Sequence, residues 1–174
     1  MERARKIKLI AFDVDGTLTP GTLLFGPEGE AYKAFNVRDG MGMALAHNMG
    51  MKIGFVTGRR SETAEARGRE LKVDFMESGV ADKVTALEQV IKRWNITWEE
   101  TAFMGDDLND LPVFRHCGLS ACPADACMEN RDEADFVSAC PGGQGAARDL
   151  IEMILRSQGR WQEVVDYFLG LSMK

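Results

Sequence analysis

An α/β domain with a Rossmann-like, doubly wound parallel sheet and helices on both faces is the fold class this sequence predicts. Three observations carry it. Short apolar runs are bounded by turn residues, longer amphipathic segments alternate with those runs, and acidic or Gly-containing clusters stand directly after several of them.

Residues 8–12 form the first apolar run, ended by Asp13, and read as the first strand. Residues 19–37, "TPGTLLFGPEGEAYKAFNV", then break the alternation. Pro20, Gly21, Gly26, Pro27 and Gly29 among short apolar pieces predict a β-hairpin with its turn near "GPEGE". An apolar hairpin that cannot bury itself is either an excursion folded onto the domain or an oligomer contact. Strands follow at 52–56, 73–76, 101–104, 118–121 and 135–137. Helices are expected at 40–48, 61–71, 82–94 and 108–116, with two further helical segments at 145–158 and 160–169. There is no repeat and no linker rich in Pro, Gly or Ser, so 1–174 reads as a single domain, the hairpin inserted at about 19–37 and a helical tail at about 159–174.

The 174 residues are 45% hydrophobic and 28% charged, the composition of a globular chain with room for one core. A net charge of −6 disfavours nucleic acid as a partner, because its binders need a basic surface to displace counterions. No apolar stretch approaches the roughly 20 residues that span a bilayer. In the opening "MERARKIKLIAFDVDG", Lys8 and Asp13 cut the apolar run too short for a signal peptide. The expected compartment is the cytoplasm, with Cys117, Cys122, Cys127 and Cys140 as reduced thiols, since none has the CxxC spacing of zinc or redox sites.

Ligands of an open parallel sheet bind beyond the carboxyl ends of its strands, so the polar residues there belong together. Asp13 and Asp15 follow the first strand, Thr57, Gly58 and Arg59 the second, and Gly105, Asp106, Asp107 and Asp110 the fourth; Lys83 opens a helix. Asp13 and Asp15 are two apart, so on an extended segment they point the same way and, with Asp106, crowd negative charge. Two like charges about 4 Å apart cost on the order of 4 kcal/mol at an effective dielectric near 20. A hard cation compensates, and Mg2+, which takes one or two carboxylates plus waters and a phosphate, fits better than an all-protein calcium cage. Thr57, the Gly58 backbone and Lys83 are donors suited to a phosphate. This set predicts phosphoryl transfer: one aspartate attacks phosphorus to form an aspartyl phosphate, and a second carboxyl two residues on protonates the leaving alcohol and activates water. Gly16 permits the tight turn beside them. Each feature alone is commonly a solvated turn or a surface charge; the order and combination carry the reading.

"DVDGTLT", "TGR", Lys83 and "GDDLND" resemble, in that order, the four motifs of the haloacid dehalogenase (HAD) superfamily of phosphatases. The resemblance implies Asp13 as nucleophile and Asp15 as general acid/base. It also implies Mg2+ on Asp13, the backbone carbonyl of Asp15 and Asp106, phosphate on Thr57, Gly58 and Lys83, and Asp107 and Asp110 as supports of the metal site and Lys83. "KAFNVRDG" and "GGQGAARD" are similar to the 3-deoxy-D-manno-octulosonate 8-phosphate phosphatases within it. That narrower likeness implies a HAD-like domain without a cap, a sugar-phosphate substrate, and substrate contacts at Asn36, Val37, Arg38, Asp39, Gly40, Arg59 and Arg67. It further implies a homotetramer built through the hairpin, in which a neighbour helps close the site. The chain departs from the group at Ala44, where a basic residue is frequent, so nine-carbon 2-keto-3-deoxy sugar acid 9-phosphates (those of KDN or N-acetylneuraminate) stay open as substrates.

His47 and His116 lie near the ends of expected helices, with no acid-base role left to fill. Two rivals belong to other classes. A receiver-like phosphoacceptor module also combines acids, Thr, Lys and Mg2+ on a doubly wound sheet, but its accepting Asp ends a central strand whose counterpart here ends at Thr57. A non-catalytic oligomeric module is opposed by the intact acid set.

Overall fold

In the computed structural model, which describes residues 2–171, strand β1 (Leu9–Phe12) is buried along its whole length. Its side chains alternate between two cores: Leu9 and Ala11 meet Val56, Leu87 and Phe103 on one face, while Ile10 and Phe12 meet Met43, Phe55 and Leu150 on the other. The two-residue period of a strand produces this division when helices cover both faces of a sheet. Each fully buried Ile or Phe contributes about 1.5–3 kcal/mol.

The chain then makes a hairpin, β2 (Leu24–Gly26) antiparallel to β3 (Gly29–Tyr32), turned at Pro27 and Glu28 within "GPEGE". Strands β4 (Lys52–Thr57), β5 (Phe75–Ser78), β6 (Thr101–Met104), β7 (Leu119–Cys122) and β8 (Phe136–Val137) join β1 in a parallel sheet of order β5-β4-β1-β6-β7-β8. From β1 the chain winds outward through β4 to β5, crosses back, and winds the other way through β6 to β8. The carboxyl ends of β1, β4 and β6 therefore border the crevice at the point of reversal.

The helices are α1 (Val37–Asn48), α2 (Glu62–Leu71), α3 (Lys83–Arg93), α4 (Leu111–Phe114), α5 (Met128–Glu133), α6 (Ala146–Ser157) and α7 (Trp161–Phe168). α1 and α6 pack together over one core, and α3 and α4 cover the other. Between β1 and α1 nothing larger than the hairpin is inserted, and among the described residues no cap domain is present. No described helix is long and apolar enough to cross a membrane.

The elements differ from expectation where a polar side chain redirects the backbone. α1 starts at Val37 instead of Gly40 because Asn36 accepts the Arg38 N–H at 2.8 Å and caps it. β5 starts only after Asp74, whose carboxylate is occupied by the Ile53 N–H, Lys52 and His47. The helix expected over 108–116 is divided into a 3-10 turn, Leu108–Asp110, and the short α4. Asp110 turns inward there to accept backbone N–H groups, and Pro112 has no N–H to give. α5 has no counterpart in the expected elements. His116 meets the Pro112 carbonyl at 2.7 Å. The last three residues of the expected tail lie outside the described residues.

Candidate active site

The chain leaves β1 at Asp13, whose N–H donates to the Met104 carbonyl at 2.9 Å and so fixes it beside β6. Lys83, the first residue of α3, donates to Asp13 Oδ1 and to Asp110 Oδ1, both at 2.6 Å, and all three side chains are buried. α3 begins there because Asp82 accepts the N–H groups of Val84 and Thr85. The second oxygen of Asp110 accepts the N–H of Asp106 (3.0 Å) and of Asp107 (3.3 Å), so Asp110 shapes the loop after β6 while balancing Lys83. Asp106 accepts from the Thr17 hydroxyl at 3.0 Å. Carboxylate oxygens of Asp13, Asp106 and Asp110 lie within 4.8 Å of one another.

Burial pushes Asp13 up to about 7; Lys83 pulls it back, and the charges of Asp110 and Asp106 add to the rise. Burial likewise takes Asp106 up to about 6, against its hydrogen bond from Thr17 and with the charge of Asp110. For Lys83, burial works against the charged form, but Asp13 and Asp110 outweigh it and hold the ammonium above its ordinary value. Two carboxylates thus share one buried cation, with the third, Asp106, close by. With Asp110 committed to Lys83 and two N–H groups, Asp13 and Asp106 are the carboxylates fit for a hard divalent ion.

Gly16 forms the turn directly against this cluster. Its φ is +91°, and a Cβ there would stand 2.1 Å from Asp106 Oδ2. The "GGQG" stretch closes over the same turn: a Cβ on Gly142 would fall 1.8 Å from the Gly16 carbonyl oxygen, and the Gly143 N–H donates to the Thr17 carbonyl at 2.9 Å. Only backbone fits between these segments.

Asp15 has other company. Its carboxylate accepts a hydrogen bond from Lys33 through Oδ1, stands 3.4 Å from Arg59 Nε through Oδ2, and lies outside the acid cluster. Lys33 also pairs with Glu30 at 2.9 Å. Glu30 accepts from Ser61, from Thr63 at 2.8 Å and from Arg59 at 3.4 Å. Burial raises Glu30, but hydrogen bonds from Ser61, Lys33 and Thr63 win and hold it at about 2.

Thr57, buried at the end of β4, accepts the Arg59 N–H at 3.3 Å, with Gly58 exposed beside it. Val37 and Arg38 are exposed at the start of α1, while the Asn36 side chain is used as its cap. Arg67 lies over the Phe35 ring, pairs with Glu70 and contacts the Asn36 carbonyl; Gly40 packs against it, a Cβ there falling 2.6 Å from its guanidinium. Asp39 points elsewhere: it is buried and accepts the N–H groups of Gly145 (3.3 Å) and Arg148 (2.9 Å) at the start of α6. Asp107 is exposed and accepts the N–H of Leu108 at 2.8 Å, outside the acid cluster.

Residues 72–148 match the family model of haloacid dehalogenase-like hydrolases. Over 163 residues the chain is 37% identical to the 3-deoxy-D-manno-octulosonate 8-phosphate phosphatase KdsC of Escherichia coli strain B, covering 94% of this chain and 87% of that one. The chain belongs to this phosphatase family. Among solved structures it resembles the Moraxella catarrhalis 3-deoxy-D-manno-octulosonate 8-phosphate phosphatase, a complex with magnesium, phosphate and KDO, with a TM-score of 0.92, 35% identity and 96% of each chain covered. It also resembles the cobalt-bound Haemophilus influenzae phosphatase, with a TM-score of 0.88, 38% identity, and 90% of this chain and 92% of that one covered. Within this family's fold, Glu30 and Lys33 line the Asp15 side of the site without having been expected there. The signal for them in the sequence is slight: an acid and a base three residues apart, with Glu28 close by and Lys33 opening "KAFNVRDG".

Proposed function

We propose that this protein is a Mg2+-dependent phosphoric monoester hydrolase that removes phosphate from 3-deoxy-D-manno-octulosonate 8-phosphate through an aspartyl phosphate on Asp13. The observation that carries the reading is the Asp13–Lys83–Asp110 arrangement, at 2.6 Å on both sides of the ammonium, two residues from Asp15 in a chain of this family. Asp13 attacks phosphorus as the bond to the sugar oxygen breaks, and Asp15 gives that oxygen a proton. Asp15 then takes a proton from the water that attacks the aspartyl phosphate, releasing inorganic phosphate and Asp13. Lys83, Thr57 and the Gly58 N–H hold the phosphoryl oxygens. Asp13, Asp106 and the Asp15 carbonyl would hold Mg2+, which would supply the positive charge that lets one anion approach another.

Arg38, Arg59 and Arg67 are suited to a sugar acid, because their planar forks match oxyanion pairs, and Asn36, Val37, Asp39 and Gly40 shape the segment that carries Arg38. In this reading 1–174 works as one capless domain in the cytoplasm, where its four free thiols stay reduced. The hairpin's exposed Leu24, Phe25 and Tyr32 support its use as the contact of a homotetramer, which sedimentation measurements test.

Purified protein is expected to release phosphate from the eight-carbon substrate with Mg2+ and to stop with EDTA or Asp13→Asn. Absence of turnover with any divalent metal overturns the hydrolase reading. A nine-carbon 9-phosphate preferred by more than about tenfold in kcat/KM, about 1.4 kcal/mol, overturns the substrate.

A further inference from the structure

The Lys33 side chain is only 1% exposed, yet it directly follows the hairpin, whose Leu24, Phe25 and Tyr32 are exposed. It is shared between two carboxylates, Asp15 and Glu30. Glu30 is in turn tied to the start of α2 through Ser61 and Thr63, so the ammonium is fixed in space by the body of the domain and not by the hairpin alone. A lysine that served only to pin the hairpin needs no bond to Asp15. Asp15 itself is treated unequally at its two oxygens. Lys33 occupies Oδ1, while Oδ2 is buried without a hydrogen-bond partner, its approach to Arg59 Nε being long at 3.4 Å. Buried carboxylate oxygens normally have partners, so one left bare beside a reaction centre points to a group that arrives with the substrate.

We propose that Lys33 is a positioning residue for Asp15: by holding Oδ1 it fixes the carboxyl plane and presents Oδ2 as the oxygen that exchanges the proton with the leaving group and then with water. The inference rests on the acid/base assignment of Asp15 made above. It gives the hairpin a task within its own subunit, separate from any contact between subunits.

The leaving group tests it. An alkyl phosphate needs a proton on its departing oxygen, whereas 4-nitrophenolate departs without one. In single-turnover experiments with Mg2+, Lys33→Met is expected to slow sugar release from the eight-carbon substrate about 100-fold and 4-nitrophenol release less than fivefold, with KM for the sugar phosphate changed less than threefold. Glu30→Gln, which keeps Lys33 but loosens its anchor, is expected to show the same selectivity at about tenfold, and it carries the test if the Met variant does not fold. Equal losses on both substrates, or no loss on either, overturn the proposal while wild-type turnover stands. Wild-type protein that turns over neither substrate overturns the hydrolase reading instead.

Discussion

At Asp13 one ammonium pairs with two carboxylates and a third, Asp106, stands beside them, whereas at Asp15, two residues on, the carboxylates of Asp15 and Glu30 face two cations, Lys33 and Arg59. The first cluster holds Asp13 and Asp106 above their ordinary range and the second holds Glu30 far below it. Burial is at work in both; the difference is the count of donors. A cluster short of positive charge waits for a cation, whereas a balanced one has its charges met on folding and leaves only Asp15 Oδ2 for the substrate.

Replacing Asp13 gives the largest separation of the two. Asp13→Asn is expected to lower turnover at least 10,000-fold, since it removes the nucleophile. The same change is expected to raise the melting temperature of metal-free protein at pH 8, because a buried, repelled carboxylate is gone. Glu30→Gln is expected to do the reverse, costing about 1–3 kcal/mol through the loss of a charged acceptor from a mostly buried network. Thermal melts in EDTA compare the pair directly.

Gly16→Ala attacks the turn that keeps the clusters apart. The strained φ and a Cβ 2.1 Å from Asp106 Oδ2 are expected to cost about 2–4 kcal/mol and to lower kcat at least 100-fold, by displacing Asp106 while leaving Asp13 and Asp15 chemically intact. Circular dichroism melts and steady-state kinetics on the same preparation read both effects.

The two clusters also respond to pH with opposite sign. Asp13 rises from 3.8 to about 7 and Asp106 to about 6, so the native state keeps protons that the unfolded chain has released. Stability of metal-free protein therefore falls as pH rises from about 4 to about 7. Magnesium at about 100 times its Kd is expected to restore about 2.7 kcal/mol at pH 8 and much less at pH 5, where protons compete. Glu30 falls from 4.5 to about 2, so its contribution is complete above about 4.5 and lost as pH drops toward 2. Denaturant melts across pH, with and without magnesium, show two slopes; Asp106→Asn is expected to reduce the first only and Glu30→Gln the second only.

The unbalanced cluster was the legible one. Asp13, Thr57 and Asp106 each follow a short apolar run, and the two-residue period and the end-of-strand rule place them together without knowledge of any distant contact. Lys83 was legible as a donor for phosphate, while its pairing with Asp13 and Asp110 emerges only from the fold. Of the balanced cluster, Asp15 and Arg59 were legible but Glu30 and Lys33 were not, because their bonds join residues 18 and 31 positions apart through a hairpin whose docking angle no local pattern encodes. Asp39 shows the same limit: an acid in the first turn of α1 reads as solvent- or substrate-facing, and only the packing of α1 on α6 turns it toward the Gly145 and Arg148 N–H groups.

Asp107 and Asp110 give the smallest and most discriminating test. Both acids stand in "GDDLND" and both resemble supports of the metal site, but the 3-10 turn sends them in different directions. Asp110 is fully buried on Lys83 and two N–H groups, and Asp107 is exposed on the N–H of Leu108. Asp110→Ala leaves a buried ammonium half-paired and is expected to cost about 3–5 kcal/mol. Asp107→Ala removes one exposed cap, so about 0.5–1 kcal/mol is expected, with kcat within threefold and the magnesium Kd, followed by isothermal titration, unchanged. A tenfold weaker magnesium Kd in Asp107→Ala would extend the charge-deficient cluster to an exposed carboxylate, and the contrast between a cluster that waits for its cation and one that already holds it would have to be redrawn.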